Sequence, residues 1–103
     1  MLALIAPGNY ISSLEGAANV TITTSGTQVN VSTSEVACEG FILIAHLSNT
    51  GVVYYGDSAV DAATKLGVPL QPGEKDFIPA KDVKVVWVDS TVSGDKVCYI
   101  PLK

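Results

Sequence analysis

From Asn19 onward, apolar and polar residues alternate in short bursts separated by turn residues, and this rhythm constrains the fold more than any other feature of the chain. In "NVTITT" Val20 and Ile22 take one face and Thr21 and Thr23 the other, and "TQVNVST" repeats the pattern with Val29 and Val31. Successive side chains of a strand point to opposite faces, so a period of two marks a half-buried strand. The Ser25-Gly26 connection between the two runs predicts a hairpin. "GFILIAHL" (40–47), "VVYYG" (52–56), "KDFIPA" (75–80), "DVKVVWVD" (82–89) and "KVCYIPLK" (96–103) read as further strands. "SNTG" (48–51) and "STVSGD" (90–95) supply turn residues between them.

"LQPGEK" is the clearest turn: Pro72 presets the φ of the second turn position, and Gly73 supplies the positive φ that a type II turn needs at the third. Pro79 in "FIPA" belongs at a strand end or edge, where no ladder donor is required. No long amphipathic helix is visible. "SAVDAATKLG" (58–67) reads as a crossover loop with at most a short helical piece, stopped by Gly67-Val68-Pro69. Strands at intervals of about 8–12 residues predict an all-β fold, a single antiparallel β-sandwich of about seven or eight short strands. Its order is jelly-roll-like or immunoglobulin-like. The sandwich is expected over residues 19–103, with residues 1–18 an N-terminal arm or first strand.

Two strands are apolar on both faces. In "VKVVWV", Val83, Val85 and Trp87 face one way while Val86 and Val88 share the other with Lys84; "FILIA" behaves alike. A sandwich strand needs only one buried face. Leaving a Val or Ile in water forfeits about 1.5–3 kcal/mol, so the second face calls for a loop, the N-terminal arm or another subunit. Composition points the same way: 48% of residues are hydrophobic and only 16% charged, too few for a small domain to coat itself with water. The surface is therefore expected to be covered in part by copies of the chain, in a trimer or another ring. Tyr54, Tyr55, Val86, Val88, Trp87 and Phe41 are the expected interface residues.

A net charge of −4 and cations that are all lysine argue against nucleic acid, where arginine makes the bidentate contacts to phosphate and guanine. No segment approaches the roughly 20 apolar residues of a membrane span, and "MLALIAPG" lacks the charged start of a signal peptide. The chain is expected to fold in the cytosol and to remain there or be assembled there. Cys38 and Cys98 have no metal-ligand spacing; they are buried thiols or one disulfide, and cytosolic folding favours the thiols.

"VYYGDSAV" (53–60) is the one stretch that suggests catalysis, because Gly56-Asp57-Ser58 is similar to the nucleophile triplet of GDSL-type hydrolases. A serine nucleophile needs a base within hydrogen-bond reach. His46 is the only histidine, it precedes Ser58 in an apolar run, and the D-x-x-H element expected near the C-terminus of such enzymes is missing. The triplet reads as a turn, with Asp57 and Ser58 bonding nearby backbone. No D-x-D-x-D run supports calcium. No catalytic, cofactor-binding or metal-binding residue is expected. Tyr54, Tyr55, Tyr99 and Trp87 could form a sugar platform for host glycans, although such aromatics more often fill a core or an interface.

The order "TTSGTQVNVST", "ACEGFILIAHLSNTGVVYYGDSAV", "LGVPLQPGEKDFIP", "DVKVVWVDSTVSGDKVCYI" resembles small virion proteins of tailed bacteriophages, over roughly Asn19 to Lys103. The V-Y-Y-G-D-S and P-L-Q-P-G-E segments carry the resemblance. It implies a β-sandwich building block of the virion: a capsid decoration or cement protein, a vertex piece, or a tail or neck accessory, bound to the major capsid protein or to tail proteins. It brings no catalytic residues. Met1 to Gly16 lies outside the pattern.

Overall fold

The computed structural model describes Leu14 and residues 16–103; the expected N-terminal arm lies almost wholly outside the described residues. Eight strands follow: β1 (Ala18–Thr21), β2 (Val29–Asn30), β3 (Phe41–Ala45), β4 (Val53–Gly56), β5 (Val68–Leu70), β6 (Lys75–Ile78), β7 (Trp87–Ser90) and β8 (Lys96–Pro101). They form two antiparallel sheets of four strands, ordered β1-β8-β3-β6 and β2-β7-β4-β5. The fold is the all-β sandwich that the alternation predicts.

The pairing has a simple logic. β1 pairs with β8, β2 with β7, β3 with β6 and β4 with β5. The chain behaves as one long hairpin, bent between β4 and β5 and wound so that successive pairs fall in alternate sheets. That winding is the jelly roll, so it settles the order against the immunoglobulin-like alternative.

Between the sheets lies one apolar core. β3 shows why: Phe41, Leu43 and Ala45 have no exposed surface, while Ile42 and Ile44 between them are half-buried on the outer face. Val97 and Tyr99 of β8 face the same interior, opposite Ala45 and Leu43. From the second sheet come Val53, Val88 and Leu70. The network of polar groups is closed, since no buried side-chain nitrogen or oxygen among the described residues lacks a hydrogen-bond partner.

Two local expectations are corrected, and one strand appears outside the expected set. "NVTITT" and "TQVNVST" do not form a hairpin: the turn at Ser25-Gly26 exists, with Thr27 N–H donating to Thr24 O at 3.1 Å, but β1 and β2 lie in different sheets. A jelly roll has to pass between sheets there, and a short turn serves that crossing as well as a hairpin. Residues 82–89 are not one strand. Val83–Val85 form a 3₁₀ turn capped by Asp82, whose Oδ1 accepts the N–H groups of Lys84 (3.0 Å) and Val36 (2.9 Å). The carboxylate outcompetes a ladder partner for these donors, and the strand begins only at Trp87. Finally, Val68–Leu70 is a strand despite Pro69. It lies at a sheet edge and pairs only with β4, so a missing donor costs nothing on its outer side.

The Pro72-Gly73 turn forms as predicted, with Gly73 at φ +85° and Glu74 N–H donating to Gln71 O at 2.9 Å. Residues 57–67 contain no helix. Asp57 and Asp61 each accept the N–H two residues on, from Ala59 and Ala63, both at 2.9 Å. Asp61 and Leu66 then close a tight loop by exchanging backbone hydrogen bonds of 3.0 and 2.8 Å.

Candidate functional site

Each sheet has an outer face, and the two are treated differently. On the second sheet, Tyr54 and Trp87 point outward, and the loop of residues 57–67 folds back over them, packing Val60 and Ala62 against Tyr54, with Val52 and Trp87 beside them. Asp89 anchors this cover. It has no exposed surface, its Oδ1 accepts from Gly26 N (3.0 Å) and Ser90 N (2.8 Å), and its Oδ2 accepts from Ala62 N in the loop (2.9 Å). The second apolar face of β4 and β7 is therefore sealed by the chain's own crossover loop.

No described loop seals the first sheet in this way. Register places Ile42 beside Phe77 of β6 and Ile100 of β8, and Ile44 beside Cys98 of β8 and Lys75 of β6. Ile42, Ile44, Phe77, Cys98 and Ile100 are all half-buried, forming a continuous apolar strip. Exposed Asn19 and Thr21 of β1, with Lys96 and Lys75, rim it. This strip is the best candidate for an interaction surface.

The six residues expected at an interface are dispersed. Phe41 and Val88 have no exposed surface and Val86 only 6%, so all three belong to the core. Tyr54 is buried under the 57–67 loop, and Trp87 keeps a partly exposed edge there. Tyr55 faces inward at the mouth of the sandwich, where its hydroxyl donates to Asp76 Oδ2 of the opposite sheet. Burial, then the hydrogen bond and charge of Asp76, push this phenol up to about 12. The strip itself was half visible: "FILIA" signalled two-faced burial, but Phe77, Cys98 and Ile100 join it only through strand order. The sugar platform is not assembled, since Tyr54 and Tyr99 are 8% and 9% exposed and belong to separate clusters.

Gly56-Asp57-Ser58 is a turn: Asp57 Oδ1 accepts from Ala59 N, and Val60 N–H donates to Asp57 O at 3.1 Å. Ser58 contributes its carbonyl, which accepts from Gln28 Nε2 at 2.8 Å. His46 directly follows β3 in the first sheet, with its Nδ1 2.7 Å from Ser48 Oγ and accepting Ser48 N–H at 3.1 Å. The structure does not bring the serine and the imidazole together.

The remaining acids are structural in their contacts. Asp95, 4% exposed, accepts from Thr50 N (3.2 Å), Gly51 N (3.1 Å) and Ser90 Oγ (2.7 Å), tying three segments at one end of the sandwich. The two backbone hydrogen bonds of Asp82, together with the nearby Lys84 charge, hold its carboxyl below the usual carboxylate range. No group of three or more His, Cys, Asp or Glu among the described residues could hold a metal ion. Cys38 is buried, its thiol 3.3 Å from Ala80 O, and Cys98 lies on the outer strip; both are free thiols. No helix of the described residues is long and apolar enough to cross a membrane. No protein-family model, curated protein or solved structure matches the chain.

Proposed function

We propose that the chain is a non-enzymatic structural component of a tailed-bacteriophage particle, a jelly-roll subunit that associates with copies of itself and decorates or cements the capsid surface. The observation that carries this reading is the apolar strip on the first sheet that no described loop covers, in a chain that seals the equivalent face of its second sheet in cis. Jelly rolls recur in viral capsid domains, as they do in lectins and cupins, so the fold supports a virion role only as an analogy. The order of the "VYYGDS" and "PLQPGE" segments adds the resemblance to phage virion proteins. Weak contacts suffice for such a subunit, because a repeating particle surface multiplies them by avidity.

Purified particles from cells producing this protein test the proposal. Mass spectrometry should find the chain in the particle fraction at a fixed ratio to the major capsid protein. Ile42→Lys combined with Ile100→Lys should lower that ratio at least tenfold without unfolding the chain. A chain absent from particles refutes the virion reading, and an unchanged ratio in the double variant refutes the strip as its contact.

A further inference from the structure

The four sheet edges are unequal, and the inequality points to one of them. A bare edge strand is a template for another chain, and proteins guard edges by shortness, charge or proline. β2 is two residues long. β5 has three residues with Pro69 in the middle. β6 begins with Lys75 and Asp76 and runs into Pro79. β1, Ala18–Thr21, carries neither charge nor proline, and an isolated bridge between Leu14 and Leu102 prolongs its line along β8.

The hydrogen-bonding direction of β1 follows from its register. Ala18 faces Tyr99 and Val20 faces Val97. Two residues further on, Ile22 donates its N–H to Asp95 O, and its own carbonyl accepts from Gly94 N, both at 2.8 Å. In an antiparallel ladder alternate residues turn their main-chain groups to one side, so Ala18, Val20 and Ile22 are committed to β8. Asn19 and Thr21 turn N–H and C=O outward.

We propose that β1 pairs with β1 of a second copy, antiparallel, about a two-fold axis through Val20. Asn19 of each copy then exchanges two main-chain hydrogen bonds with Thr21 of the other, four in all. The two Val20 side chains, half-buried against the core, meet at the axis on the inner face, and Asn19 and Thr21 pair on the outer face. The segment Ala18–Thr21 brings no charges into opposition. Pairing one strand with itself is isologous and closes at two copies. Four strands about 4.8 Å apart and about 17 Å long span roughly 300 Å², well short of the roughly 800 Å² per partner of a standard interface. The strip by itself therefore falls short of a stable self-interface, and main-chain hydrogen bonds at the edge supply the direction that apolar contact lacks. Edge pairing joins two such strips into one eight-stranded outer face. This assembly deepens the self-association part of the proposed function and rests on it.

Sedimentation equilibrium of the full chain from 10 to 500 μM tests the pairing, with hydrogen exchange of the Asn19 and Thr21 amides as a second readout. A monomer–dimer equilibrium is expected, with both amides protected at high concentration and exchanging freely on dilution. Asn19→Pro removes two of the four intermolecular bonds and none to β8, so Kd should rise on the order of tenfold or more. Thr21→Lys, which keeps every backbone group, should also weaken the dimer and decides the matter if the proline variant unfolds. A chain monomeric throughout, or a dimer unmoved by both variants, overturns edge pairing. Loss of association only in Ile42→Lys also overturns it, while leaving a strip-mediated assembly intact. The chain's presence in particles is measured separately, so failure of one reading is not failure of the other.

Discussion

Asp89→Asn asks whether a carboxylate holds the loop cover in place. The change is isosteric, and intuition about buried charge favours it, since replacing a desolvated charge by a neutral group is often stabilising. The hydrogen-bond geometry argues the opposite. Asp89 accepts three backbone N–H groups, two on one oxygen and one on the other. An ionised carboxylate is all acceptor, whereas an amide must aim its NH₂ at one of these sites. In the better orientation the amide oxygen keeps Gly26 and Ser90, and its nitrogen faces the N–H of Ala62. Converting two charge-assisted bonds to neutral ones loses about 1 kcal/mol each, and the stranded buried donor costs about 1–3 kcal/mol more. Relief of carboxylate desolvation offsets part of this, leaving a net loss of about 2–4 kcal/mol. For a domain of this size the melting temperature should drop by roughly 10–25 °C.

Equilibrium urea unfolding followed by Trp87 fluorescence measures the loss, and hydrogen exchange locates it. The Ala62 amide should lose protection first, and Trp87 emission should shift to the red as the loop lifts from it. An Asp89→Asn variant as stable as the parent, or a destabilised one whose Ala62 amide stays protected, refutes the anchoring argument.

Three other perturbations probe separate parts of the molecule. Gly67 has φ +132°, and a Cβ there would lie 2.7 Å from Val60 Cγ2 and 2.8 Å from Tyr55 O; a carbonyl cannot yield, so Gly67→Ala should cost about 1–3 kcal/mol in urea unfolding. Because the fold raises the Tyr55 phenol from 10.0 to about 12, its contribution to stability is complete below pH 10 and is lost as the pH climbs through 12. Urea midpoints between pH 8 and pH 11.5 should fall less steeply in Tyr55→Phe than in the parent. Ser58→Ala, altering an exposed turn residue that lends only its carbonyl to a hydrogen bond, should change stability by less than about 0.5 kcal/mol and leave ester hydrolysis at the parent's level; a lower rate would revive the nucleophile.

The alternation in "NVTITT" and the short β-rich apolar runs in "FILIA" and "KVCYI" sufficed to reveal strands, because a period of two records a sheet face directly and such runs are too short for a buried helix. It could not reveal which sheet a strand joins. Ser25-Gly26 turns the chain whether the next strand lies beside the last or across the core, and only the burial of both halves distinguishes the two. Asp82 is a similar case: "DVKVVWVD" has uninterrupted β propensity, yet one carboxylate reaching Val36, a distant segment, converts its first half to a 3₁₀ turn. The outer strip was legible in Ile42 and Ile44 but not in Phe77 or Ile100, whose membership depends on β6 and β8 flanking β3. Phe41, Val86 and Val88 were misplaced at an interface for a related reason. Periodicity says that a strand has two apolar faces and not which one turns inward.

The two sheets together explain why a chain with so little charge need not be uniformly sticky. Sealing the second sheet consumes the 57–67 loop, a buried carboxylate and a glycine at positive φ, a considerable investment for a face made of Tyr54, Val52 and part of Trp87. Three edges are guarded by shortness, charge or proline. Among the described residues, single exposed side chains such as Leu47, Leu66 and Val85 are scattered over turns and loops, whereas the strand face that no described loop covers is the strip across β6, β3 and β8, beside the outward backbone of β1. Contiguity matters here, because an edge contact fixes orientation through hydrogen bonds while an apolar strip contributes area without direction. A subunit built this way can join its neighbour in one register and still present a widened apolar surface to whatever it covers.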